Sequence, residues 1–157
     1  MSEQEKKPTI EDGLRKALSG DLLENALDFV AYLKEIGMTI HPDDPNRFTY
    51  MGEYTCILVF FDGMLFICDC PICEYDGLPL DVSLQEFALA NIKKCEHHDG
   101  CDDKARAATK TIFGKEIDNL CSSEIQFFNL DATGFEKIKK LMDYWKLAII
   151  ESKYKGR

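Results

Sequence analysis

The segment "KKCEHHDGC", Lys93 to Cys101, packs two cysteines and two adjacent histidines into nine residues, and Cys121 returns after nineteen further residues. Cys95, His98 and Cys101 are spaced C-x2-H-x2-C. Zinc takes four Cys or His ligands in a tetrahedron, and ligands a few residues apart chelate from one short loop without backbone strain. Gly100 lets that loop bend. The expectation is therefore a structural zinc held by Cys95, His98, Cys101 and Cys121. His97 is the alternate ligand to His98, since neighbouring positions of an extended loop seldom aim at one centre. The bland reading of the same residues is two surface histidines beside two small thiols.

A second thiol group, "CDCPIC", holds Cys68, Cys70 and Cys73. Its Cys70-Pro71-Ile72-Cys73 stretch looks like the glutaredoxin active-site motif, which makes a thiol-dependent redox protein the alternative function. A redox C-x2-C needs its first thiol at a helix N-terminus or beside a cation, where the thiolate is stabilised. The following "EYDGLPLD" instead reads as a loop. The local charges, Asp69, Glu74 and Asp76, disfavour a thiolate. Two other readings stay open. Cys68, Cys70 and Cys73 can form a second metal site, Cys68 and Cys70 falling on one strand face by alternation. They can also be small hydrophobes of a strand, as Cys56 in "TCILVFF" is expected to be.

Other chemistry is sparse. The chain has no phosphate-cradling glycine motif, no G-x-S-x-G elbow and no H-E-x-x-H helix. His41 lies in the turn sequence "HPDDPN" and is read as solvated. Asp43-Asp44 and Asp102-Asp103 are read as loop acids, with no apolar surroundings to raise a carboxyl pKa. Nothing assigns a reaction, so an enzyme is the less favoured class.

The wider sequence sets the context for these groups. A chain of 157 residues with 45% hydrophobic content can bury a real core. It is expected to form one domain over 1–157, with flexible ends at 1–13 and 151–157. No apolar run approaches the ~20 residues of a spanning helix, and "MSEQEKKPTIEDG" lacks the pattern of a secretion signal. A cytosolic protein without membrane contact is expected. In a reducing compartment, seven cysteines point to metal or catalysis rather than to a disulfide framework. The net charge is −9, and Pro42 to Ile92 carries nine Asp/Glu against the single cation Arg47. Nucleic acid is not an expected partner, because no basic stripe offsets that charge.

The elements that must position the thiols are legible as periods. "DLLENALDFVAYLKEIG" places Leu22, Ala26, Phe29, Val30, Leu33 and Ile36 on one helical stripe, with Asp21 and Glu24 as a capping box and Gly37 as the left-handed stop. "TIEDGLRKAL" adds a turn before it. "RFTYM", "TCILVFF" and "MLFICDC" form a three-stranded meander turning at Gly52-Glu53 and at Asp62-Gly63, the latter a type I′ signal. A helix over "SLQEFALANIKK", opened by Ser83 and Glu86, delivers the chain into the Cys/His cluster. "KTIFGKEID" is a hairpin with Gly114 suited to a type II′ turn, "SEIQFFNL" a further strand. A final helix from Gly134 to Ile150, opened by Thr133 and Glu136, buries Phe135, Ile138, Leu141, Met142, Trp145 and Ile149. The sum is an α+β domain: a largely antiparallel sheet with helices packed mainly on one face. The other face, with aromatic residues such as Phe48, Tyr50, Phe60 and Phe66, is left for contact, although some of those must belong to the core.

"KTIFGKEIDNLC" with the preceding cluster, the "AYLKEIGM" helix end and the "YMGEYTCIL" strand also resemble an uncharacterised family of short bacterial cysteine-cluster proteins carrying a TIFGKEF-N-C-like segment. The resemblance spans nearly the whole chain and implies a shared fold with no assigned activity. It implies that Cys95, Cys101 and Cys121 stand at cysteine positions of the family, and that His98 replaces a cysteine while keeping a zinc ligand. The combined expectation is a small zinc-binding domain, its metal structural, that binds a small ligand or a protein partner.

Overall fold

The computed structural model of the chain describes residues 9–71, 78–91, 108–120 and 124–155. Two helices come first, α1 (Ile10–Ala17) and α2 (Gly20–Glu35). Four strands follow, β1 (Thr39–His41), β2 (Asp44–Tyr50), β3 (Glu53–Phe61) and β4 (Met64–Pro71). Then come α3 (Val82–Ala90), the pair β5 (Ala108–Ile112) and β6 (Lys115–Leu120), β7 (Glu124–Phe128) and α4 (Ala132–Lys155). β1-β2-β3-β4-β7 make one sheet, every neighbouring pair antiparallel, and β5-β6 make a separate hairpin. The expected α+β class with an antiparallel sheet is what the chain adopts.

The alternation of β3 explains the layering. Cys56 and Leu58 are fully buried, whereas Val59 and Phe61 are 39% and 46% exposed. Register carries the same division across the sheet: Cys56 lies opposite Phe48, Leu58 opposite Ile67, and Ile67 opposite Phe127, all of them buried. Helix contacts reach this buried face. The Phe87 ring of α3 stacks on Phe127 at 5.0 Å, and the Trp145 indole of α4 donates to the Tyr54 carbonyl at 3.0 Å. At Gly13 of α1, an added Cβ would come within 2.9 Å of the Phe60 ring, so only glycine permits that approach. Phe29 of α2 and Phe135 of α4 meet at 5.8 Å between them. Burying one such aromatic ring stabilises by roughly 2–3 kcal/mol.

Two aromatic residues expected on the open face therefore belong to the core: Phe48 is fully buried, and Phe60 packs against α1. Period two places Phe60 with Leu58 and Cys56, and Phe61 opposite to them. Tyr50 is likewise packed against the core, with Lys146 Nζ 5.3 Å above its ring.

Helix starts differ from the expected ones. Ser19, not Asp21, precedes α2. Asp81 caps α3 by accepting from the Leu84 N–H at 2.8 Å, in place of Ser83. Asp131 accepts from the Gly134 N–H at 2.8 Å, in place of Thr133. A real capping box does occur at α1, where Thr9 and Asp12 exchange bonds of 3.1 and 3.3 Å. The segment expected to add a turn is thus an eight-residue helix that buries Ile10 and Leu14. Of the expected α4 stripe, Phe135, Ile138, Leu141, Met142 and Ile149 are buried, whereas Trp145 is only partly buried.

The hairpin turns share one geometry. Asp62-Gly63 has φ of 47° and 82°, Met51-Gly52 has 52° and 83°, and Phe113-Gly114 has 53° and 76°. Two positive φ values define a type I′ turn, which matches strand twist. The second and third turns therefore begin one residue earlier than expected, and Gly114 is the second turn residue rather than the first residue of a type II′ turn.

Candidate functional site

The expected zinc ligands Cys95, His98, Cys101 and Cys121, the alternate His97, and Cys73 lie outside the described residues. Cys70 is in β4 with its side chain undescribed, and Cys68 is half-buried. Among the described residues no group of three or more His, Cys, Asp or Glu is placed to hold a metal ion. What the fold does place are the chain positions from which the thiol segments depart.

Those positions meet at one end of the sheet. α3 closes at Asn91, four residues before Cys95, and the Asn91 carbonyl accepts the Gln126 N–H of β7 at 3.0 Å. Gln126 is the register partner of Cys68, and its Nε2 lies 3.7 Å from the Cys68 Sγ. The Cys68 carbonyl accepts from the Tyr54 hydroxyl at 2.8 Å, which fixes β4 from its other side. Pro71 pairs with Glu124, which follows Cys121 by three residues. Three residues of chain span at most about 11 Å. Pairing of β4 with β7 shifts register between Cys68 and Pro71, so simple alternation does not carry from Cys68 to Cys70.

A second feature is an aromatic row on the sheet face opposite the core. Phe66 lies 4.8 Å from Phe128 and 6.3 Å from Phe61, ring centre to ring centre, across β7, β4 and β3. Phe128 is 49% exposed. The consecutive pair Phe60-Phe61 could have revealed this row, since adjacent strand residues must point to opposite faces.

The remaining polar groups tie α2 to α4. The Tyr32 hydroxyl donates to Asp143 Oδ2 at 2.6 Å, and Lys139 bonds Asp28 while standing 5.5 Å above the Tyr32 ring. Lys146 Nζ donates to the Ile36 carbonyl at 2.6 Å, satisfying an acceptor at the end of α2. Burial, then the Asp143 carboxylate, pushes the Tyr32 hydroxyl above its usual range, and the hydrogen bond to Asp28 raises Lys139. A phenol held in its neutral form this way is a strut rather than a base. Beside it, an open groove of about 430 Å³ between α3 and α4 is lined by Asp81, Leu84, Lys140, Asp143, Tyr144 and Leu147. His41 accepts the Asp43 N–H on Nδ1 at 3.0 Å within the β1–β2 turn, a structural use of the ring.

In comparison with known proteins, the chain matches no family model, no curated protein and no solved structure.

Proposed function

We propose that this chain is a small cytosolic zinc-binding module in which Cys95, His98, Cys101 and Cys121 hold one structural zinc, and that the domain binds a small ligand or a protein partner. The supporting observation is the Asn91–Gln126 hydrogen bond. It ties Asn91, four residues before Cys95, to the strand that follows Cys121. Two ligand-bearing segments leaving one anchored point need little extra chain ordering to share a metal, and a metal shared between them would fasten the connection from α3 to β7.

The test is elemental analysis of the purified protein with thermal melting. About one zinc per chain is expected, and Cys121→Ser lowers both metal content and melting temperature, because a structural metal's binding energy is folding energy. His98→Ala is expected to lose more zinc than His97→Ala. Metal-free protein whose melting is unchanged by Cys121→Ser removes the zinc reading.

A further inference from the structure

We infer that the turn joining β1 to β2 is a pH-sensitive latch, closed by neutral His41 and released when its imidazole takes up a proton. Asn or Asp at the first position of a tight turn accepts the backbone N–H two residues on. His41 fills that role with its ring: Nδ1 accepts the Asp43 N–H at 3.0 Å, across Pro42, whose own ring fixes φ. An acceptor at Nδ1 requires the neutral imidazole with its proton on Nε2. A proton taken from solvent puts a hydrogen on Nδ1 as well. Both nitrogens then donate, and the Asp43 amide loses its acceptor.

Three residues along, the chain repeats the arrangement without the switch. Asp44 Oδ1 accepts the Asn46 N–H at 3.0 Å. A carboxyl group keeps acceptor capacity whether or not it is protonated, so this second turn is an internal reference for the first. The charged groups around the latch are few. Asp43 and Asp44 bring carboxylates to the turn itself, and Arg47 of β2 pairs with Asp44 at 3.7 Å. α2, which leads into β1, ends in Lys34, bonded to Glu11, and Glu35. Lys146 of α4 holds the Ile36 carbonyl before the opposite end of β1, and Glu53 of β3 lies opposite Tyr50 at the far end of β2. A cation formed at His41 therefore has acids as its neighbours along the chain, and a charge-assisted bond to a carboxylate replaces the bond to the amide. His41 and Asp44 are the last pair of the β1–β2 ladder, separated by a register shift from Thr39–Thr49 and Ile40–Phe48. Release is accordingly confined to the turn and that last pair, and the rest of β1 stays in the sheet.

The test is amide NMR on the full chain between pH about 5.5 and 8, the range in which an ordinary imidazole changes charge. The Asp43 amide proton is expected to shift with the same midpoint as the His41 ring carbons. Its exchange, corrected for intrinsic pH dependence, should speed up about fivefold as the ring is protonated, the effect of losing one hydrogen bond. The Asn46 amide is expected to hold throughout. His41→Asn supplies an acceptor that does not titrate and should abolish both changes at Asp43, whereas His41→Phe should leave that amide unprotected at every pH. An Asp43 amide indifferent to the titration of the ring overturns the inference. So does an unaltered transition in His41→Asn, a protected Asp43 amide in His41→Phe, or an Asn46 amide that moves in step with Asp43, which is general opening of this end of the sheet. Wild type and variants share Cys95, His98, Cys101 and Cys121, so the comparison stands whether or not the chain holds zinc.

Discussion

At the scale of single residues, the backbone imposes costs that some side chains recover and others do not. Among the described residues Met51, Asp62, Phe113 and Asn129 adopt positive φ. An L-residue there costs roughly 1–2 kcal/mol, less for Asn or Asp, whose short polar groups bond locally. Asn129 uses the geometry, its Oδ1 accepting the Leu65 N–H at 2.7 Å while its own N–H donates to the Leu65 carbonyl at 2.9 Å. Phe113 recovers part of the cost by packing on the core. Met51 is 50% exposed and gains nothing comparable. Met51→Asn is therefore expected to stabilise the protein by about 0.5–1 kcal/mol, since Asn-Gly is the favoured type I′ pair. A raised urea midpoint with unchanged slope is the readout, and a lowered midpoint refutes the argument. The Asp62-Gly63 turn was legible because both residues tolerate positive φ. Met51 and Phe113 were not, because nothing in either side chain announces a left-handed backbone.

At the scale of elements, the buried stripes were readable and the helix starts were not. Apolar periodicity is summed over a whole helix and survives single exceptions, whereas a cap rests on one residue. Three S/T/D-x-x-E spacings suggested caps at Asp21, Ser83 and Thr133, but the chain enters α3 and α4 two residues earlier, at Asp81 and Asp131. The polar seam between α2 and α4 was hidden for a related reason: Tyr32 and Asp143 are 111 residues apart. That seam predicts a pH dependence. Tyr32 is held neutral by burial and by Asp143, so its folded pKa lies above the ordinary value of about 10. The unfolded chain loses this proton first. The stabilisation is fully present below pH about 10 and is lost as pH rises towards the folded value. Tyr32→Phe is expected to cost about 1 kcal/mol at neutral pH through the lost hydrogen bond, and its deficit against wild type should narrow above pH about 10. Lys139, raised by Asp28, keeps its own alkaline dependence in both proteins, so it does not affect the difference. Melting curves that stay parallel from pH 8 to 11 would contradict the assignment.

For the molecule as a whole, the class of fold follows from the order of periods, while the candidate site does not. Strand runs joined by tight turns can pair only as an antiparallel meander, and β7 adds beside β4 to complete it. The convergence of Asn91, Gln126 and Cys68 depends on that addition, a pairing between residues 58 apart that no local spacing encodes. Net charge was fully legible, and it gives the last prediction. At −9 the folded chain repels itself, and the ion pairs that offset this, such as Lys34–Glu11 at 2.7 Å, contribute roughly 0–1 kcal/mol each. Salt weakens both terms, but repulsion acts over the whole surface at long range, where screening is strongest. The Debye length falls from about 30 Å at 0.01 M to about 8 Å at 0.15 M. Raising salt across that range at pH 8 is expected to stabilise the protein by about 1 kcal/mol, a gain of about 2–4 °C in melting temperature. Near the sequence pI of 4.8 the repulsion is gone and the gain should vanish. Further acidification acts in the opposite direction. Burial opposes the lowering of Glu11, which the Lys34 hydrogen bond achieves, and the Thr9 backbone N–H lowers Asp12. Depressed carboxyl groups contribute stability present above their unfolded values and lost as pH falls through their folded ones. Stability should therefore fall below pH about 4, whatever the salt. Equal salt gains at pH 8 and pH 5 would show that long-range repulsion is not what salt relieves.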